Sequence, residues 1–150
     1  MKHVYSVAEL VPHSGKMSLL TAIVDYGEDW LQAEVLITPD SMFADDHGVP
    51  AWIGLEYMAQ TVAAYAGLQE RLNGGIPKIG FLLGSRKYLC NADHFAMGQT
   101  LLLEVHLEMQ ADNGLNVFNC ELKGQGVAAS ASVNVFQPDD AEKFLAGATS

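Results

Sequence analysis

A lone carboxylate in an apolar stretch is the residue here best suited to proton chemistry. Residues 51–68, AWIGLEYMAQTVAAYAGL, carry Glu56 as their single charged group. A carboxyl held on a buried helix has a raised pKa, which suits a group that must donate a proton near neutral pH. The plainer reading pairs Glu56 with a basic side chain. Gln60 lies at i+4, on the same helical face, where its amide can orient Glu56 or a neighbour. Imidazoles would supply the complementary base. The chain has five histidines, of which His13 and His47 lie in loops beside apolar elements. His3, His94 and His106 have no such setting, and His106 alternates with apolar neighbours as an outward strand residue would. No two histidines share metal-ligand spacing with a carboxylate on one helical face, so no metal site is expected.

The element carrying Glu56 has clear limits. Pro50 suits a first helical turn, and Gly74, Gly75 and Pro77 form a stop signal. Small residues from Gly54 to Gly67 allow backbones to approach the helix on several sides. Strands are expected on both flanks: 17–25 and 30–38 before it, and 78–91, 100–110, 115–123 and 127–136 after it. Asn113-Gly114 and the 124–126 turn should make the last three an antiparallel meander. A short turn at residues 6–10 has Ser6 as its cap and Glu9 at capping-box spacing, and residues 137–150 read as a loosely held tail. One helix cannot cover both faces of such a sheet, so the expectation is α+β, a single domain over residues 1–150. In it a curled antiparallel sheet wraps the helix, and a second subunit covers the remaining apolar surface.

Composition removes other functions. Apolar residues are 49% and charged residues 17% of the 150, enough for a packed core. A net charge of −10 and a pI near 4.7 argue against nucleic acid and acidic membrane surfaces. Glu56, Gln60 and Thr61 interrupt the apolar run, which speaks against a membrane span. Cys90 and Cys120 have no CxxC spacing and read as buried reduced thiols. The opening residues lack a signal-peptide core, so a cytoplasmic location is expected. Four of the eight basic side chains, Arg71, Lys78, Arg86 and Lys87, fall within 17 residues. They form a basic patch if they converge, and otherwise solvated element ends.

Three segments resemble a known family. VPHSGKMSLLTAIV at 11–24, VPAWIGLEYMAQTVAAYAG at 49–67 and GSRKYLCNADHFAMGQTLLLEV at 84–105 are similar to motifs of the hot-dog-fold 3-hydroxyacyl-acyl-carrier-protein dehydratases. The closest resemblance is to the dehydratase group of aryl polyene and related type II polyketide clusters. That group has P-A-W-V-G-I-E-Y-M-A-Q where this chain has PAWIGLEYMAQ.

The resemblance implies dehydration of a 3-hydroxyacyl thioester, in fatty acid or polyene biosynthesis, to the trans-2-enoyl thioester without a cofactor. Glu56 would protonate the departing hydroxyl while an imidazole takes the α-proton. Backbone N–H groups of Ala51 or Trp52 would meet the thioester oxygen at the helix start. The family's usual histidine stands eight residues before the helix proline. That position is Met42 here. His13, in the Pro-His motif, and His47, three residues before Pro50, are the alternatives for the base, with His13 favoured. Acyl carrier protein is the implied partner, docking on Arg71, Lys78, Arg86 and Lys87. The assembly is a homodimer or a heterodimer with a second hot-dog subunit. Two other readings stay open: an acyl thioesterase, in which the helix carboxylate activates water, and a non-catalytic subunit of an active dehydratase.

Overall fold

A computed structural model describes residues 5–11, 19–72, 81–111 and 114–136, the side chains of 81–83 excepted. His13, Lys78, the 74–77 stop signal, Asn113 and the 137–150 tail lie outside the described residues.

The chain begins with α1, Val7–Leu10. Ser6 Oγ accepts from the Glu9 N–H at 3.3 Å and the Ser6 N–H donates to Glu9 Oε1 at 2.9 Å, the reciprocal pair expected from the spacing. Val11 leaves the helix with φ −109° and ψ 126°, the extended conformation that a following proline imposes. Strands β1 (Ala22–Tyr26) and β2 (Trp30–Leu36) form the first hairpin. A two-residue strand, β3 (Val49–Pro50), and one 3-10 turn (Ala51–Ile53) lead into α2, Gly54–Leu72. After it come β4 (Phe81–Cys90), β5 (His94–Phe95), β6 (Thr100–Gln110), β7 (Leu115–Gly124) and β8 (Val127–Phe136).

Six strands make one antiparallel sheet in the order β1-β2-β6-β7-β8-β4, and β3 pairs with β5 apart from it. Its inner face follows from period-2 alternation carried across strands in register. Leu31, Ala33 and Val35 stand opposite Val105, Leu103 and Leu101, all buried. Leu122 and Cys120 of β7 continue the layer, and the small Ala129 and Ala131 of β8 close it. The curled sheet leaves a concave side that α2 fills, burying Tyr57, Met58, Val62, Tyr65 and Leu68 against it. This is the hot-dog arrangement, a sheet wrapped around one central helix. Buried hydroxyls are satisfied inside it: Thr61 Oγ1 donates to the Tyr57 carbonyl and the Tyr65 hydroxyl to that of Glu28.

The expected element order is present with three differences. The first strand starts at Ala22 rather than residue 17. The helix opens with a 3-10 turn. The β3 and β5 pair has no counterpart in the sequence reading, since two residues are too few to show a period. Cys90 and Cys120 are free thiols, Cys120 buried and Cys90 half-buried. Burial lifts the Cys120 thiol to about 12, which keeps it protonated and inert. Among the described residues no helix is long and apolar enough to cross a membrane.

Candidate functional site

The start of α2 is fixed by three contacts. Ala51 donates its N–H to the Asp93 carbonyl at 2.8 Å, anchoring the turn to the residue before β5. The Tyr88 hydroxyl donates to the Ala51 carbonyl. It reaches there because β4 slips register between Arg86 and Leu89, with Lys87 at φ 58° in the bulge. Gly54 completes the fit: a Cβ there would stand 2.3 Å from the Tyr88 hydroxyl and 3.0 Å from Phe95 Cζ. The phenol that closes this end is itself held neutral, its pKa raised chiefly by burial.

Glu56 is exposed and Gln60 is buried. Gln60 Nε2 donates to Glu56 Oε1 at 3.3 Å, while Gln60 Oε1 accepts from the Leu19 N–H at 2.8 Å. One amide thus ties the carboxylate to the end of the segment that carries the Pro-His motif. The contact that i+4 spacing allows between Gln60 and Glu56 is present. The burial expected of Glu56 is not, because the sheet covers the opposite side of α2 and none of the described residues closes over residue 56.

Across from the helix start lies a polar cluster. Asp45 Oδ1 accepts from the His47 N–H at 2.7 Å, and Asp45 Oδ2 lies 3.1 Å from His94 Nε2. The His47 N–H, the largest influence, holds the Asp45 carboxyl below its usual range, with His94 adding to it. The His47 and His94 rings meet edge to face at 5.7 Å. The loop is pinned where Gly48, at φ 117°, presses on β5: a Cβ there would stand 2.1 Å from the Phe95 carbonyl oxygen. Phe43 of the same loop packs on Trp52 at 5.4 Å, and Trp52 remains 63% exposed.

The expected site residues therefore separate into groups. Glu56, Gln60, Ala51 and Trp52 share one end of α2, and His47 flanks it. Ala51 is corrected as an oxyanion donor, because its N–H is already engaged by Asp93. Trp52, in the first turn, retains that possibility by position, since first-turn N–H groups lack an intrahelical acceptor. Among the described basic residues, Arg71 does not join Arg86 and Lys87. Arg71 sits at the far end of the helix, where its Nε donates to the Glu9 carbonyl at 2.6 Å. Arg86 and Lys87 are exposed on β4 beside Tyr88, at the Ala51 end, so about 25 Å of helix separates them from Arg71. Tyr57 and Tyr65 belong to the core, and burial raises the Tyr57 phenol to about 12. No group of three or more potential metal ligands occurs among the described residues.

Sequence reasoning missed Asp45, Tyr88 and His94. The only local signal was Asp45 two residues before His47, a spacing that favours a side-chain turn. Its partner His94 is 49 residues away.

Comparison with known proteins gives three findings. The model of a family described as ApeP-like, ApeP dehydratase, matches residues 5–146. Among solved structures, one chain of the dehydratase heterocomplex ApeI:P from Xenorhabdus doucetiae is similar, with 25% identity and a TM-score of 0.84 over 95% of this chain and 97% of that one. The E. coli PaaI protein from the phenylacetic acid degradation operon matches at 14% identity and TM-score 0.56, covering 76% and 80%. A hypothetical thioesterase with coenzyme A from Streptococcus pneumoniae matches at 10% and 0.58, covering 79% and 87%. The last two share the fold alone. No curated protein matches the chain.

Proposed function

The chain belongs to the ApeP-like dehydratase family, and from that premise we propose that it dehydrates 3-hydroxyacyl thioesters on an acyl carrier protein to trans-2-enoyl thioesters, in polyene or fatty acid assembly. The observation that carries this reading is Glu56, held by the buried Gln60 beside the open first turn of α2. The thioester oxygen lies at that turn, where backbone donors and the helix dipole stabilise enolate charge. An imidazole takes the α-proton, and Glu56 protonates the 3-hydroxyl as it leaves. His13 and His47 are the sequence's choices for that imidazole. The segment of His13 ends at Leu19, bound to the same Gln60, while His47 lies on the loop facing the helix start.

A second hot-dog subunit belongs to this reading. Glu56 and Trp52 are exposed, β4 is a sheet edge, and the similar ApeI:P chain comes from a heterocomplex. Cover from a partner supplies the water-excluded surroundings that proton transfer requires. Assayed alone and with its partner subunit, the protein should convert a 3-hydroxyacyl thioester with a rise in enoyl absorbance and no free thiol. Thiol release would instead establish a thioesterase. Enoyl formation that depends wholly on the partner, and that survives changes at Glu56, would make this chain the non-catalytic subunit.

Carrier docking falls to Arg86 and Lys87, the basic pair at the site's end of the fold. Reversing both charges should raise KM for carrier-bound substrate and leave KM for a small thioester unchanged. Equal effects on the two substrates would remove this docking surface.

A further inference from the structure

Dehydration needs an imidazole whose accepting nitrogen is aimed by the protein, and two described histidines have a ring nitrogen paired with a carboxylate: His106, exposed on β6, with Glu104 at 3.3 Å, and His94 beside the helix start. His94 Nε2 faces Asp45 Oδ2 at 3.1 Å, and Asp45 is in turn fixed by the His47 N–H at 2.7 Å. The loop bearing Asp45 is closed on itself by the Asp45–Gly48 bridge and set against β5 by the close approach of Gly48 to the Phe95 carbonyl. This is the carboxylate–imidazole pairing that sets tautomer and ring orientation in general-base catalysis. His47 contributes its backbone N–H to the cluster, and among the described residues its exposed ring makes no hydrogen bond to a carboxylate.

Resting on the dehydratase reading above, we propose that His94, aligned by the Asp45 carboxylate, is the base that removes the α-proton of the acyl thioester. Position supports the assignment. His94 stands directly opposite Pro50 in the β3–β5 pair, and Asp93 anchors Ala51, so β5 and the helix start form one unit. The 3-10 turn that leads into α2, His94 beside it and Glu56 in the first turn of α2 itself follow the substrate's own order of carbonyl, α-carbon and 3-hydroxyl.

With Asp45 ionised, Nε2 of His94 carries the hydrogen and Nδ1 the lone pair. The α C–H bond breaks with its proton going to Nδ1, and its electrons form the C2–C3 double bond. The C3–O bond breaks as Glu56 gives its proton to the oxygen, releasing water. The proton on His94 returns through solvent to Glu56, restoring both groups. No oxidant, reductant or metal enters the balance.

The test uses the full chain with its partner subunit. His94→Ala should lower kcat by about 10²–10⁴-fold, and added imidazole should restore a substantial part of it. The ring is 31% exposed, which leaves small bases a way in. Exchange of the substrate α-hydrogen with deuterated solvent should fall in parallel. Should His94→Ala fail to fold, His94→Gln is assayed for the same loss of turnover and exchange. Asp45→Asn should lower kcat with KM unchanged, as expected of a positioning residue. Wild-type turnover that persists in a folded His94 variant would overturn this assignment and leave the dehydratase reading intact. A loss that imidazole does not rescue, or rescue confined to variants of His13 or His47, would also overturn it. A wild-type complex that forms no enoyl product would overturn both.

Discussion

Glu56→Gln should lower kcat for dehydration by about 10²–10⁴-fold, the usual contribution of a general acid, while thermal stability stays within about 0.5 kcal/mol of wild type. The two side chains match in size, and the amide can still bond to Gln60, so only the transferable proton is lost. Stability should hold because Glu56 is exposed and is held by the 3.3 Å bond from Gln60, which an amide can also accept. KM should change little, since the carboxyl acts on a bond that breaks in the transition state and adds little to ground-state binding. The measurement is steady-state turnover of a 3-hydroxyacyl thioester, followed by enoyl absorbance, beside a melting curve. Retained kcat would move the acid elsewhere and make Glu56 a solvated surface carboxylate. Equal loss of stability and activity would show a structural role.

What the sequence disclosed follows from how local each signal is. The meander from Thr100 to Phe136 was readable because side chains alternate over ten or more residues and its turns carry glycine. Helix α2 was readable from its proline start and its apolar length. The capping box at Ser6 and Glu9 depends on three-residue spacing and was correct in both hydrogen bonds. The site was only half visible for the same reason. Glu56 and Gln60 share a helical face, so their contact follows from sequence distance alone. Asp45 and His94 meet only because Val49 and Pro50 pair with Phe95 and His94, a ladder too short to leave a pattern. The basic residues show the reverse error. Arg71 and Arg86 are close in sequence, but a 19-residue helix stands between their ends of the fold.

The exposure of Glu56 also has a physical reason. A helix lying in a curled sheet has only one side turned outward, and the charged residue in its apolar run falls on that side. The fold thus keeps a carboxylate out of the core, where an unpaired charge would be costly. A second subunit closing over Glu56 and Trp52 would complete the surroundings that the described residues leave open.

Phe95→Ala should destabilise the chain by about 3–5 kcal/mol, the range for removing a buried aromatic ring. At this chain length that corresponds to a fall in Tm of about 6–20 °C. Phe95 is fully buried, its ring lies 6.1 Å from that of Tyr57, and its edge faces Gly54 at the helix start. Its backbone pairs with Val49 and supports Gly48. One residue therefore supports the first turn of α2 with its ring and the Asp45 loop with its backbone. The cavity left by its removal has a floor of helix and sheet that cannot collapse freely, which places the cost in the upper part of the range for core truncations. Activity measured well below the lowered Tm should fall as well, because the helix start and His94 lose their common support. Phe95→Met should recover much of the stability by filling most of the space with a flexible side chain. A Tm change under about 2 °C for the alanine variant would show that the helix start is held by its hydrogen bonds to Asp93 and Tyr88 instead. Normal turnover in a destabilised variant would show that the ring supports the fold without positioning the site.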